Sequence, residues 1–158
     1  MNAPRESADL AQVVRLVPLI FHRLRAVGDA LHAEHGVTTP MRGVMQSLYD
    51  GGPQTVPQMA AARPVTRQHI QTIVDALAER GLVEAKPNQA HKRSPHIVLT
   101  KAGRKLFEQM RVKEARWLGR IVGDFAPQEL AATAGFLARF AATLETLNHT
   151  LKETDHAA

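Results

Sequence analysis

The sequence predicts a mainly α protein carrying one small β-hairpin, an α+β arrangement in which helices dominate. Three observations carry this. Long stretches repeat apolar residues at three- and four-residue steps, the period of a helix packed on one face. Threonine and proline recur at the starts of these stretches, as N-cap and first-turn residues. Late in the chain two short β-branched runs, GLVEA (81–85) and HIVLT (96–100), flank the polar, basic stretch NQAHKRSP.

The first helix is expected over residues 9–35. Leu10, Val13, Val14, Val17, Ile20, Phe21, Leu24, Val27 and Leu31 form its apolar stripe, Pro18 interrupts its hydrogen bonding, and Gly36 ends it. A second helix is expected from Thr39 to Asp50, with Thr39 as N-cap, Pro40 at its first position, and Met41, Val44, Met45 and Leu48 inward. After the turn GGPQ, Thr55 caps a short third helix that Pro64 ends. Thr66 caps a fourth, in which Ile70, Ile73, Val74 and Leu77 fall at i, i+3, i+4 and i+7 and Gly81 is the C-terminal stop. Beyond the hairpin, Thr100 caps a helix from Lys101 to about Val122, and Pro127 opens a last one to about Leu151.

Composition narrows the chemistry. The 158 residues include no cysteine, so disulfides, Cys-ligated zinc and thiol redox sensing are excluded within this chain. Aromatic residues are only 4%, too few for a stacking platform on single-stranded nucleic acid. There is no Gly-rich phosphate loop, nucleophile elbow or HExxH, and serine occurs only at 7, 47 and 94. The expectation is no enzyme, no catalytic residue and no cofactor. His32 and His35 flank Ala33-Glu34 at a helix end, but without cysteine or an acidic cluster no metal site is expected. No signal-peptide pattern and no membrane-length apolar run is present, and a cytoplasmic protein is expected.

The charge is uneven. Of the net +5, the segment from Arg63 to Lys105 holds nine basic residues against Asp75, Glu79 and Glu84, a surplus of six, and the remainder carries −1. A polyanion is the natural partner of such a segment. The exposed side of the fourth helix presents Arg67, Gln68, His69, Gln71 and Thr72, all able to donate or accept hydrogen bonds and none acidic. Such a face suits the major groove, whose base edges offer donors and acceptors. An ordinary helix would carry acid in its first turn, where negative charge is favoured.

Three helices followed by a basic hairpin make a winged helix-turn-helix lobe. Its recognition helix is placed at about 66–80 and its wing at about 86–95. In the wing His91, Lys92, Arg93 and Ser94 are the expected DNA contacts, with Arg93 in the minor groove, whose negative potential favours arginine. Thr66 joins the recognition-helix set, and Thr55 and Arg63 are expected at phosphates. The terminal helices are too long for a private core beside so small a lobe, so their stripes are expected to bury each other in a two-fold dimer. The division is residues 1–38 as an N-terminal dimerisation helix, 39–104 as the DNA-binding lobe, and 105–158 as C-terminal dimerisation helices.

The segment MAAARPVTRQHIQTIVDALAERGLVE, with the wing and LTKAGRKLFEQM after it, resembles the MarR family of bacterial transcriptional regulators. The resemblance implies a homodimeric repressor or activator on palindromic double-stranded operator DNA, nucleoid-associated when bound. It also implies release by a small aromatic or phenolic ligand held between lobe and dimer helices, and His22, Arg25, Met45, Tyr49 and Trp117 are candidates to line that pocket. Two departures stand out. The family wing commonly reads Asp-x-Arg, where an acid orients the arginine by a charged hydrogen bond; here it reads His91-Lys92-Arg93. Arg63-Pro64 replaces the usual Leu-Gly before the fourth helix. The rival reading is a winged-helix interaction adaptor whose basic finger meets an acidic protein without sequence-specific DNA binding; the unacidic face at 67–72 favours DNA.

Overall fold

The computed structural model describes residues 3–156 apart from 64 and 92, so the end of the third helix at Pro64 and the wing-tip charge of Lys92 lie outside the described residues. Among the described residues, six α-helices and one antiparallel hairpin follow in the order α1 (Ala3–Leu31), α2 (Thr39–Gly51), α3 (Val56–Ala61), α4 (Arg67–Glu79), β1 (Val83–Lys86), β2 (His96–Leu99), α5 (Lys101–Ile121) and α6 (Pro127–His156). The chain divides into two compact units, residues 1–114 and 115–158. No described helix is long and apolar enough to cross a membrane.

The expected elements are present, with shifted ends. α1 starts earlier than residue 9, runs through Pro18, and gives way at Leu31; residues Ala33–His35 form a single 3-10 turn, and Gly36 closes that turn in the left-handed region (φ 57°). The cap of α2 is Thr38, whose hydroxyl accepts from the Met41 amide, rather than Thr39. Thr39 is drawn off by Asp29: its amide and its hydroxyl each donate to Asp29 Oδ1 at 2.7 Å. These two bonds, ahead of the nearby Arg25 charge, hold the Asp29 carboxyl below its ordinary pKa. α3 begins in a full capping box, Thr55 and Gln58 satisfying each other's backbone amides. α4 is capped by Thr66, and Gly81 follows it at φ 66°.

The core of the first unit collects one face from each helix of the lobe. Val44, Met45 and Leu48 of α2, Met59 of α3, Ile70, Val74 and Leu77 of α4, Ile97 of β2, and Phe107 and Met110 of α5 are all buried together. Hydrophobic transfer of this order, about 1.5–3 kcal/mol per large side chain, is what holds helices this short in place. The stripe of α1 is different. Leu10, Val14, Val17, Ile20, Phe21 and Leu24 are exposed in the single chain. The α6 residues Leu137, Leu144 and Leu147 are exposed as well.

Hairpin and helices meet at a tight seam. Leu82 O accepts from the Thr100 amide at 3.1 Å, Thr100 Oγ1 donates to Gly81 O at 2.7 Å, and the same oxygen accepts from the Gly103 amide at 3.0 Å, capping α5. A Cβ at position 103 would stand 1.9 Å from Leu82 O, so only glycine fits there. On its other side β2 pairs with one residue of the α2–α3 turn: Ile97 N donates to Gln54 O (2.8 Å) and Gln54 N to Ile97 O (3.2 Å).

Candidate nucleic-acid interface

The four core residues of α4 fix which side of the helix faces out. That side carries Thr66, Arg67, Gln68, His69, Gln71 and Thr72, all exposed, so every expected reading residue of the helix stands on the surface. Two of them have intrahelical partners. Thr72 Oγ1 donates to Gln68 O at 3.0 Å, leaving its lone pairs to accept, and Gln71 Nε2 donates to Asp75 Oδ1 at 2.7 Å. The Thr66 side chain serves as the cap, accepting from the His69 amide at 3.2 Å.

β1 and β2 pair in the register Val83↔Leu99 to Lys86↔His96, which projects the loop between them outward as a finger. His91 and Arg93 are exposed on it and Ser94 is half-buried. Arg67, Gln68 and Gln71 from α4 and Arg93 and Ser94 from the wing line one groove of about 440 Å³. Its floor is apolar, made by Val74, Ala78, Val83 and Ile97, and Asp75 and Glu84 also reach it. The fold thus brings Arg67, Gln68, Gln71, Arg93 and Ser94 to one groove.

The expected phosphate contacts are placed differently. Thr55 is 7% exposed and its hydroxyl is engaged by Gln58 on both sides, as donor and as acceptor. The Arg63 guanidinium reaches back to α2, where Nη2 donates to Gly43 O at 2.7 Å. Both side chains therefore serve the helix-turn-helix itself in this conformation.

Four of the candidate pocket residues lie in the first unit, each with its own surroundings. Met45 is fully buried in the core. His22 and Arg25 are exposed on α1, where His22 stacks edge-on against Phe21 and Arg25 lies 3.7 Å from Asp29. Tyr49 packs on Phe107 with the Arg104 and Arg111 guanidinium groups over its ring at 4.9 and 5.2 Å. Trp117 belongs to the second unit. Among the described residues no group of three potential metal ligands exists; His32 is instead buried, with Nε2 at 2.8 Å from Glu114.

Two sets of polar residues went unread in the sequence. One is Glu114 of α5, which accepts from His32 just after α1 and from the Arg42 guanidinium of α2. Burial pushes its carboxyl up, but the hydrogen bonds and charges of Arg42 and His32 outweigh that and hold it below the ordinary value. Residues this far apart in the chain leave no local pattern to find. The other is Asn88, buried at the root of the wing loop, for which the Pro87-Asn88 turn pair was the available signal.

A trihelical core, a helix whose exposed first turns carry no acid, and a two-stranded wing define a winged helix-turn-helix protein. A model of the MarR family matches residues 35–94. An uncharacterized protein of Mycobacterium tuberculosis, Rv2011c, is 31% identical over 137 residues, covering 85% of this chain and 95% of the relative. The crystal structure of the MarR family transcription regulator SP03579 superposes with a TM-score of 0.79 at 28% identity, over 90% of this chain and 97% of that one. A mutant MarR from E. coli, complexed with operator DNA, shares the fold at a TM-score of 0.74 and 19% identity, over 84% of this chain and 95% of that one. The chain belongs to the MarR family of transcription regulators.

Proposed function

We propose that this regulator acts as a homodimer on palindromic operator DNA, each protomer laying α4 in a major groove and its wing in the adjoining minor groove. The observation that carries the reading is the shared groove: Arg67, Gln68 and Gln71 of α4 and Arg93 of the wing line the same surface. Gln68, His69, Gln71 and Thr72 read base edges, with Arg67 beside them, while Arg93 with His91, Lys92 and Ser94 serves the minor groove. Helix N-termini, Arg63 and Lys92 supply phosphate contacts, Arg63 after exchanging its Gly43 carbonyl for a phosphate. Residues 1–38 and 105–158 are the dimerisation helices and 39–104 the lobe, and the exposed stripes of α1 and α6 support this division. The protein works in the cytoplasm, on the nucleoid when bound, as repressor or activator. MarR relatives bind small-molecule ligands, and release by a small aromatic or phenolic one is the corresponding reading here.

The test is binding of the purified protein to DNA from upstream of its own gene and to a scrambled sequence, across a salt series. Two-fold symmetric protection of the first with a steep salt slope is expected. Equal, weak binding to both would move the adaptor reading ahead.

A further inference from the structure

We infer that Asn88 is a positioning residue for DNA binding, a buried amide that ties the wing loop together and thereby aims Arg93. The inference rests on the wing's proposed role. Asn88 is 9% exposed, whereas Pro87, Gln89, Ala90, His91 and Arg93 around it are all exposed. Its Oδ1 accepts from the Ala90 amide at 3.1 Å and the His91 amide at 3.3 Å. Its Nδ2 donates to Ser94 O at 2.9 Å. The amide orientation follows from these partners, since a flip would set NH2 against two N–H donors. Strand pairing ends at Lys86↔His96, and beyond it this side chain takes over, bridging the two arms of the loop.

Arg93 lies inside that bridge. On its C-terminal side Ser94 is held at both backbone groups: its carbonyl by Asn88 and its amide by His91 O at 2.9 Å. On its N-terminal side His91 is held through its amide by Asn88 and through its carbonyl by Ser94. The backbone carrying the arginine is thus set before DNA arrives, and the ordering cost of the loop does not weaken binding. Only asparagine supplies both halves: aspartate keeps the two acceptor bonds but loses the donor to Ser94 O and adds a negative charge beside the phosphates.

The experiment is a double-mutant cycle on the full-length protein with the operator fragment: Asn88→Ala, Arg93→Ala and both together, with Asn88→Asp as the conservative variant. Asn88→Ala should melt close to wild type yet bind about tenfold more weakly. The cycle should be strongly non-additive, Asn88→Ala costing almost nothing once Arg93 is gone, because it acts through Arg93. Asn88→Asp should also bind more weakly. Without DNA, amide exchange at Ala90 and His91 should accelerate in Asn88→Ala. Unchanged affinity in Asn88→Ala while Arg93→Ala is weakened would overturn the inference and leave the wing reading intact, as would full additivity. Unchanged affinity in Arg93→Ala would remove the wing reading and the inference with it. If the Ala variant does not fold, Asn88→Asp decides: wild-type affinity there overturns the inference.

Discussion

Single residues in this protein divide into those that shape the lobe and those that face outward, and the two should respond differently to substitution. Arg93→Ala is expected to weaken operator binding while leaving the melting temperature close to wild type, read by titration and thermal melting; a collapse of stability would show that the side chain serves the fold. Gly103→Ala is the opposite case. Its methyl group would meet Leu82 O at 1.9 Å, and forcing the helix off the strand should cost about 3 kcal/mol, visible in a denaturant midpoint. Glu114 adds a pH dependence. Its folded carboxyl titrates below the unfolded one, so the stability it contributes is present above about pH 4.3 and is lost as pH falls through the lowered folded value. Glu114→Gln should destabilise by about 1–2 kcal/mol at neutral pH, discounted for partial exposure, and the gap to wild type should close below about pH 4.

At the level of elements, helices and strands were legible because their signals are local. The stripe Ile70, Ile73, Val74 and Leu77 fixes α4 by spacing alone, and all four are buried. Thr55, Thr66 and Thr100 each cap the helix they precede. Thr66→Ala should therefore cost about 1 kcal/mol by loss of the cap, with a matching fall in the chemical-denaturation midpoint. Where two threonines stand side by side, at 38 and 39, sequence cannot choose between them. The choice is made by Asp29, ten residues from Thr39 and on α1, which engages Thr39 and leaves Thr38 to cap. In the wing, Pro87-Asn88 signals a turn, but which backbone groups Asn88 ties together is set only by the folded loop. Arg63, in the basic segment, and Thr55 before it look like surface donors, and only the folded lobe engages them, Arg63 on Gly43 O and Thr55 in the buried capping box.

For the whole molecule, the apolar stripes of α1 and α6 are burial left unmade by the single chain. Leu24 is 56% exposed and Leu144 49%, values at which a lone helix face forgoes about half of the transfer energy it offers. If the proposed dimer forms through this stripe, Leu24→Glu is expected to yield a monomer in sedimentation and to abolish tight operator binding, since two half-sites are then not held together. The hairpin poses a different problem of association. β2 is flanked by β1 on one side and by Gln54 on the other, which leaves β1 as the open edge. An open edge invites strand-to-strand pairing between molecules. This one is four residues long, carries the ion pair Lys86 to Glu84 at 2.9 Å, and is followed at once by Pro87. The bridge at Gln54 thus leaves the sheet one edge to guard, and a short charged strand ending in proline guards it against aggregation at high concentration.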